Sequence, residues 1–221
     1  MEEPALLEVL GDVRGAVVLD LGCGGAETGL ILLRGGCQSY HGVDSSRRMV
    51  EQARATLAGT SGTVTLCPIE RFEAPPNSFN LVVSRLALHY VEDIDRVFQG
   101  CHHWLADAGR LVFTVTHPVI TSHDARETTS VQRTNWVVDD YFMAGARPQR
   151  WMGGEVVWFH RTIEDYVRAL QGAGFRLSHL SECPPRPEHF PNDPTEYERR
   201  KRIPLFLLLA GTKASSFTAD T

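Results

Sequence analysis

Val18-Leu19-Asp20-Leu21-Gly22-Cys23-Gly24-Gly25-Ala26-Glu27, followed by Gly42-Val43-Asp44, decides the fold of this 221-residue chain. An apolar run ends in an acid, a glycine turn follows, and a helical stretch begins. A second apolar run then ends in another acid. This is the strand–turn–helix–strand unit of a parallel sheet. Glycines at 22 and 24 let the backbone turn sharply and come close to a ligand. The carboxylate of Asp44 suits a vicinal diol such as that of ribose, because it can accept from both hydroxyls together.

Outward from that unit, apolar runs keep alternating with helical periods, so the class is α/β. Strands are expected at residues 16–21, 39–43, 64–67, 79–84 and 109–116. Gly35-Gly36 stops the first helix, and Ser46 caps the next, whose inner face is Met49, Val50, Ala53 and Leu57. Ile94, Val97, Phe98, Cys101 and Leu105 recur at helical spacing. Residues 118–159 are too long for an ordinary connection and rich in aromatics; they read as an insertion over the strand ends. A further helix runs from Thr162 to Gly174, with strands at 176–180 and 204–210. The expectation is a single domain over 1–221, with a lid at 118–160 and a disordered tail at 213–221.

Composition narrows the class. Apolar content of 43% and charged content of 22% are those of a soluble globular protein. The acidic start Met1-Glu2-Glu3 does not read as a secretory signal, so the expected location is cytoplasmic. Five scattered cysteines without a CxxC pair argue for free thiols. A net charge of −5 leaves no footprint for nucleic acid, and no membrane partner is expected. The run Arg199-Arg200-Lys201-Arg202 follows Glu196 and Glu198 and reads as solvated.

Asp20 separates two ligand classes. A dinucleotide would bring a pyrophosphate to the glycine turn, and a fixed anion beside it would be repulsive. S-adenosylmethionine carries a sulfonium and an ammonium and no phosphate, and an acid there fits that cation.

With these residues the chain resembles the class I S-adenosylmethionine-dependent methyltransferases, in the branch acting on small molecules. The matching segments are residues 20–26, Gly42-Val43-Asp44, residues 78–84, Leu88-His89-Tyr90 and residues 109–113. His117-Pro118, His160-Arg161-Thr162, Ala173-Gly174-Phe175 and the late strand at 205–210 also match. The resemblance implies a Rossmann-like, seven-stranded, mostly parallel sheet of order 3-2-1-4-5-7-6, strand 7 antiparallel, flanked by helices. It also implies methyl transfer that leaves S-adenosylhomocysteine, and a place in secondary metabolism. Three positions depart from the pattern: Ala26 replaces a third glycine, Pro68 an acid, and Ser45 a bulky apolar residue. N-terminal helices that commonly close such sites are expected to be nearly missing.

The expected cofactor contacts are Asp20, Gly22, Cys23, Gly24, Asp44, Ser45, Met49, Ile69, Glu70, Ser84 and Leu86. The methionine end is placed on the Gly22–Gly24 backbone near Ser84, with Asp20 toward the ammonium. Ribose is placed at Asp44, and adenine between the Ser45/Met49 side and the Ile69-Glu70 backbone. Methyl transfer needs chiefly a well-positioned nucleophile, with a base only where the acceptor holds a proton of high pKa. His117 and His160 are the candidate bases, while His89, Tyr141 and Trp151 are candidate substrate contacts. No histidine cluster has metal-ligand spacing, so no metal is expected.

The partner is then a small molecule, the chain a monomer or homodimer. One rival is a protein that binds S-adenosylmethionine without transferring methyl, as a non-methylating catalyst or partner subunit. The other, a nicotinamide-dependent oxidoreductase, is opposed by Asp20 and by Glu27 where a glycine would be needed.

Overall fold

The computed structural model describes residues 1–122, 136–151 and 154–214, except for the side chains of residues 150 and 151. The first half alternates strand and helix: α1 (Glu2–Leu10), β1 (Val17–Leu21), α2 (Glu27–Arg34), β2 (Ser39–Asp44), α3 (Arg47–Thr56), β3 (Gly62–Leu66) and β4 (Phe79–Arg85). The second half holds α4 (Ile94–Trp104), β5 (Leu105–Thr116), α5 (Pro118–Thr121), β6 (Gly145–Trp151), β7 (Gly154–His160), α6 (Ile163–Gly172), β8 (Phe175–Ser181), α7 (Pro194–Arg200) and β9 (Phe206–Lys213).

Seven strands form one sheet in the order β3-β2-β1-β4-β5-β9-β8. All neighbours are parallel except β9, which runs antiparallel to both β5 and β8. This is the implied arrangement, with β8 and β9 as the last two strands. Helices cover both faces, so central strands such as Val17–Leu21 are buried on each side and read as near-continuous apolar runs. On one face Leu6, Leu10, Leu32 and Ala53 pack on Val18, Val83, Val112 and Leu208. On the other, Val97, Phe98, Cys101, Tyr166 and Leu170 pack on Leu19, Val82, Phe113 and Leu209. Burying a side chain the size of Phe98 stabilises by about 1.5–3 kcal/mol. Helix starts match their side chains: Ser46 accepts from the Met49 N–H at 3.4 Å and Asp93 from the Arg96 N–H at 3.0 Å.

Three elements differ from expectation. A nine-residue helix precedes β1 and packs its Leu6 and Leu10 into the core, where N-terminal helices were expected to be nearly missing. Within the expected lid, β6 and β7 pair as an antiparallel ribbon. Pro148 argues against a strand there, but in a two-stranded ribbon both strands are edges and can tolerate it. The stretch before β9 contains α7, where Arg199 and Arg200 bond Glu196 and Lys201 bonds Glu198, which partly offsets the charge of the basic run. The expected tail begins at residue 213, but Lys213 is the last residue of β9 and its ammonium bonds Asn77 and the Leu105 carbonyl; residues 215–221 lie outside the described residues.

Candidate cofactor site

The chain runs outward from β1 to β2 and β3, then returns to β4 beside β1. A crevice opens at this switch, beyond the carboxyl ends of the strands. At its base Gly22 has φ +75°, and a Cβ there would lie 2.2 Å from the Ala87 Cβ, so only glycine fits. Gly24, at φ +53°, is different: a Cβ built on it meets nothing within 4 Å and would point into open space. Gly24 therefore leaves open the space a side chain would fill. Ala26 also takes a left-handed conformation, φ 62°, at a cost of about 1–2 kcal/mol relative to glycine.

A cavity of about 230 Å³ opens here, lined by Asp20, Gly22, Cys23, Gly24, Glu27, Thr28, Arg85 and Leu86. Asp20 is 1% exposed. Its Oδ2 accepts from the Tyr40 hydroxyl at 2.7 Å, while Oδ1 is buried with no partner. Burial pushes this carboxyl up to about 7, against the lowering effect of the Tyr40 hydrogen bond; Asp44 adds to the rise and Arg85 opposes it. An orphaned carboxylate oxygen on a cavity is the feature a ligand ammonium would satisfy. Tyr40 was not singled out from the sequence. Its ring occupies the space where a Cβ of Gly29 would sit, 2.3 Å away, so the glycine inside α2 is the signal that could have found it.

Asp44 stands at the end of β2. Its Oδ2 accepts from the Gly24 N–H at 2.9 Å and Oδ1 from the Ser46 N–H at 2.8 Å. Each oxygen keeps a second lone pair, enough for a diol. Ser45 is exposed and Met49 half-buried on the same side. The Ile69 side chain reaches over the turn, its Cδ1 3.5 Å from the position of a Gly22 Cβ. Glu70 lines a second hollow of about 250 Å³ between this segment and α4, not the Asp20 cavity. Cys23 lines the cavity, and burial together with the Asp20 and Asp44 carboxylates drives its thiol pKa far above the ordinary value. Leu86, at φ 53°, is also on the cavity, its N–H held by the Thr114 carbonyl at 3.0 Å.

Ser84 does not present its side chain as expected. It is fully buried, and its hydroxyl donates to the Leu21 carbonyl at 2.7 Å, tying the ends of β4 and β1 together.

The histidines divide by their partners. His160 is 1% exposed; its Nε2 faces the Tyr141 carbonyl at 2.9 Å and must donate to it, so Nδ1 accepts from the Thr121 hydroxyl at 2.7 Å. Both nitrogens are engaged, and these contacts make His160 a clasp between β7, α5 and the 141 segment. His117 caps α5, its Nδ1 accepting from the Val119 N–H at 3.1 Å, while Nε2 meets Glu182 at 3.0 Å. Burial lowers its pKa and Glu182 opposes that shift. His89 is held only by 3.5 Å contacts to Thr116 and packs its ring edge-on against Trp158 at 5.6 Å. Burial pushes it down to about 3, so it is a neutral imidazole. Tyr141 stacks edge-on with His160 at 5.7 Å. The side chain of Trp151 lies outside the described residues.

Arg161 was quoted from the sequence without a role; its guanidinium donates to the Val91 carbonyl at 2.9 Å and to the Glu92 carbonyl, fastening α6 to the loop after β4. Among the described residues no three His, Cys, Asp or Glu side chains gather as metal ligands. None of the described helices is long and apolar enough to cross a membrane.

Comparison with known proteins gives the same picture. Residues 18–109 match a family described as a methyltransferase domain. A crystal structure of an S-adenosylmethionine-dependent methyltransferase from Mesorhizobium loti is 34% identical, with a TM-score of 0.87 over 96% of this chain and 97% of that one. A Listeria monocytogenes structure whose description assigns it to the same class is 30% identical, with a TM-score of 0.88 over 97% of both chains. A Haemophilus influenzae protein with no function in its name is 31% identical over 193 residues, 82% of this chain and 76% of that protein.

Proposed function

We propose, from the premise that this chain belongs to the class I S-adenosylmethionine-dependent methyltransferases, that it methylates a small-molecule acceptor. The observation that carries the placement of the cofactor is the buried Asp20 with its orphaned Oδ1 on the cavity that Gly24 also lines. Bound there, S-adenosylmethionine supplies an electrophilic methyl on a sulfonium, already an excellent leaving group. Asp20 would hold the ammonium, Asp44 the ribose hydroxyls, and the Gly22–Gly24 backbone the methionine end. Ser45, Met49 and Ile69 would flank adenine.

The ribbon β6–β7 supports enclosure of a small acceptor, because β7 packs on the Leu88–Tyr90 turn and on α5, at the ends of β4 and β5. His89 and Trp158 meet on that side and would position the acceptor. Positioning at near-attack distance then supplies most of the rate. Proton removal, where an acceptor needs it, falls to His117 once its Nε2 proton has passed to Glu182 and its ring carries its one proton on Nδ1, released from the Val119 N–H, so that Nε2 is free to accept. Its neighbour Glu182, 54% exposed, gives that proton a way out to solvent.

Purified protein incubated with S-adenosylmethionine and pools of small amines, phenols, thiols and carboxylic acids should release S-adenosylhomocysteine with at least one pool, read by mass spectrometry. Tight cofactor binding without product in any pool, but with product on protein or RNA, would refute the small-molecule reading.

A further inference from the structure

We propose that Arg85 receives the carboxylate of the cofactor's amino-acid tail and that the N-terminal helix holds it in position. The inference rests on the methyl-donor reading above. A tail that carries both an ammonium and a carboxylate meets a difficulty in this cavity. Asp20 and Glu27 attract the ammonium and repel the carboxylate, and charges a few ångströms apart in a partly dry pocket interact strongly. Among the cavity's lining residues Arg85 is the one cation.

The guanidinium is held at two of its three nitrogens. Nε donates to Glu2 at 3.0 Å to Oε2 and 3.2 Å to Oε1, and Nη1 donates to Glu3 at 2.9 Å. Nη2 makes no hydrogen bond to any described residue, and the side chain is 31% exposed. Glu2 is itself pinned: it is 4% exposed and accepts from the Thr114 hydroxyl at 2.8 Å. The two acids of α1 thus aim a planar fork whose remaining N–H groups suit a carboxylate. Glu2 and Glu3 are positioning residues in this arrangement.

The test is calorimetric titration of the full chain with two ligands. One is S-adenosylhomocysteine; the other is its decarboxylated counterpart, S-adenosyl-3-thiopropylamine, which keeps the ammonium. The wild type should bind the second about 10- to 100-fold more weakly, the range for one charge-assisted contact. Arg85→Gln should lose that factor for S-adenosylhomocysteine and nothing further for the decarboxylated ligand. Arg85→Lys should recover part of the loss, and Glu2→Gln should weaken only the carboxylate-bearing ligand. Equal losses for both ligands in Arg85→Gln would make Arg85 a mere strut for α1 and overturn the proposal. If that variant does not fold, equal wild-type affinity for the two ligands overturns it alone. A wild type that binds neither compound overturns the methyl-donor reading and this inference with it.

Discussion

Cofactor affinity should rise about tenfold between pH 6 and pH 8, and Asp20 should be the reason. In the ligand-free protein its carboxyl is raised from 3.8 to about 7 by burial. An ammonium pairs with the ionised form, so binding must first remove the proton wherever it is present. With a pKa of about 7, about one-tenth of Asp20 is ionised at pH 6 and about nine-tenths at pH 8, a ratio worth about 1 kcal/mol. The sign for stability is opposite to the usual carboxylate. Folding holds this proton more tightly than the unfolded chain does, so stability from this group is full below about pH 4. It is lost as pH rises toward about 7, by about 4 kcal/mol in all. The ligand restores what ionisation costs.

Titration calorimetry with S-adenosylhomocysteine, at pH 6, 7 and 8 and in buffers of different ionisation enthalpy, reads both affinity and protons released. Close to one proton should leave at pH 6 and almost none at pH 8. Asp20→Asn should flatten the profile, and any slope that remains in the variant belongs to other groups, the ligand's own included. A wild-type affinity independent of pH without proton release, or the same slope in Asp20→Asn, would refute the reasoning.

Asp44→Ala should weaken S-adenosylhomocysteine about 10- to 100-fold through lost ribose contacts, with an unchanged far-ultraviolet circular dichroism spectrum; unchanged affinity would remove Asp44 from the site. Gly22→Ala should cost about 1–3 kcal/mol, read in thermal melts, because the new methyl meets Ala87 at 2.2 Å and φ is +75°. His160→Ala should lower stability by about 2 kcal/mol, or Tm by about 4–8 °C, as the Tyr141 carbonyl and Thr121 hydroxyl lose their partner. His117→Ala should lower turnover while S-adenosylhomocysteine affinity is kept; equal turnover would leave it only the cap of α5.

The sheet and the two acids were legible because each depends on local pattern. Asp20 and Asp44 end apolar runs, and the glycines between them have few other uses in a strand–helix junction. What escaped depends on contacts between distant residues. Tyr40 reaches Asp20 only because Gly29 clears its path, and Glu2 meets Arg85 across 83 positions of chain. The hydroxyl of Ser84 could be placed near the crevice from its strand, but not turned into the sheet toward Leu21. The histidines show the same limit. Position along a strand end put His117 and His160 at the crevice side, while partner atoms decide which nitrogens are free, and those come from α5, residue 141 and residue 182.

Cys23 illustrates a safeguard built from the same parts. A sulfonium methyl will alkylate any good nucleophile left beside it, and a thiolate is among the best that proteins own. Here burial, and after it the Asp20 and Asp44 carboxylates, keep the sulfur protonated. With the donor placed as proposed, a cysteine can line its pocket without being methylated.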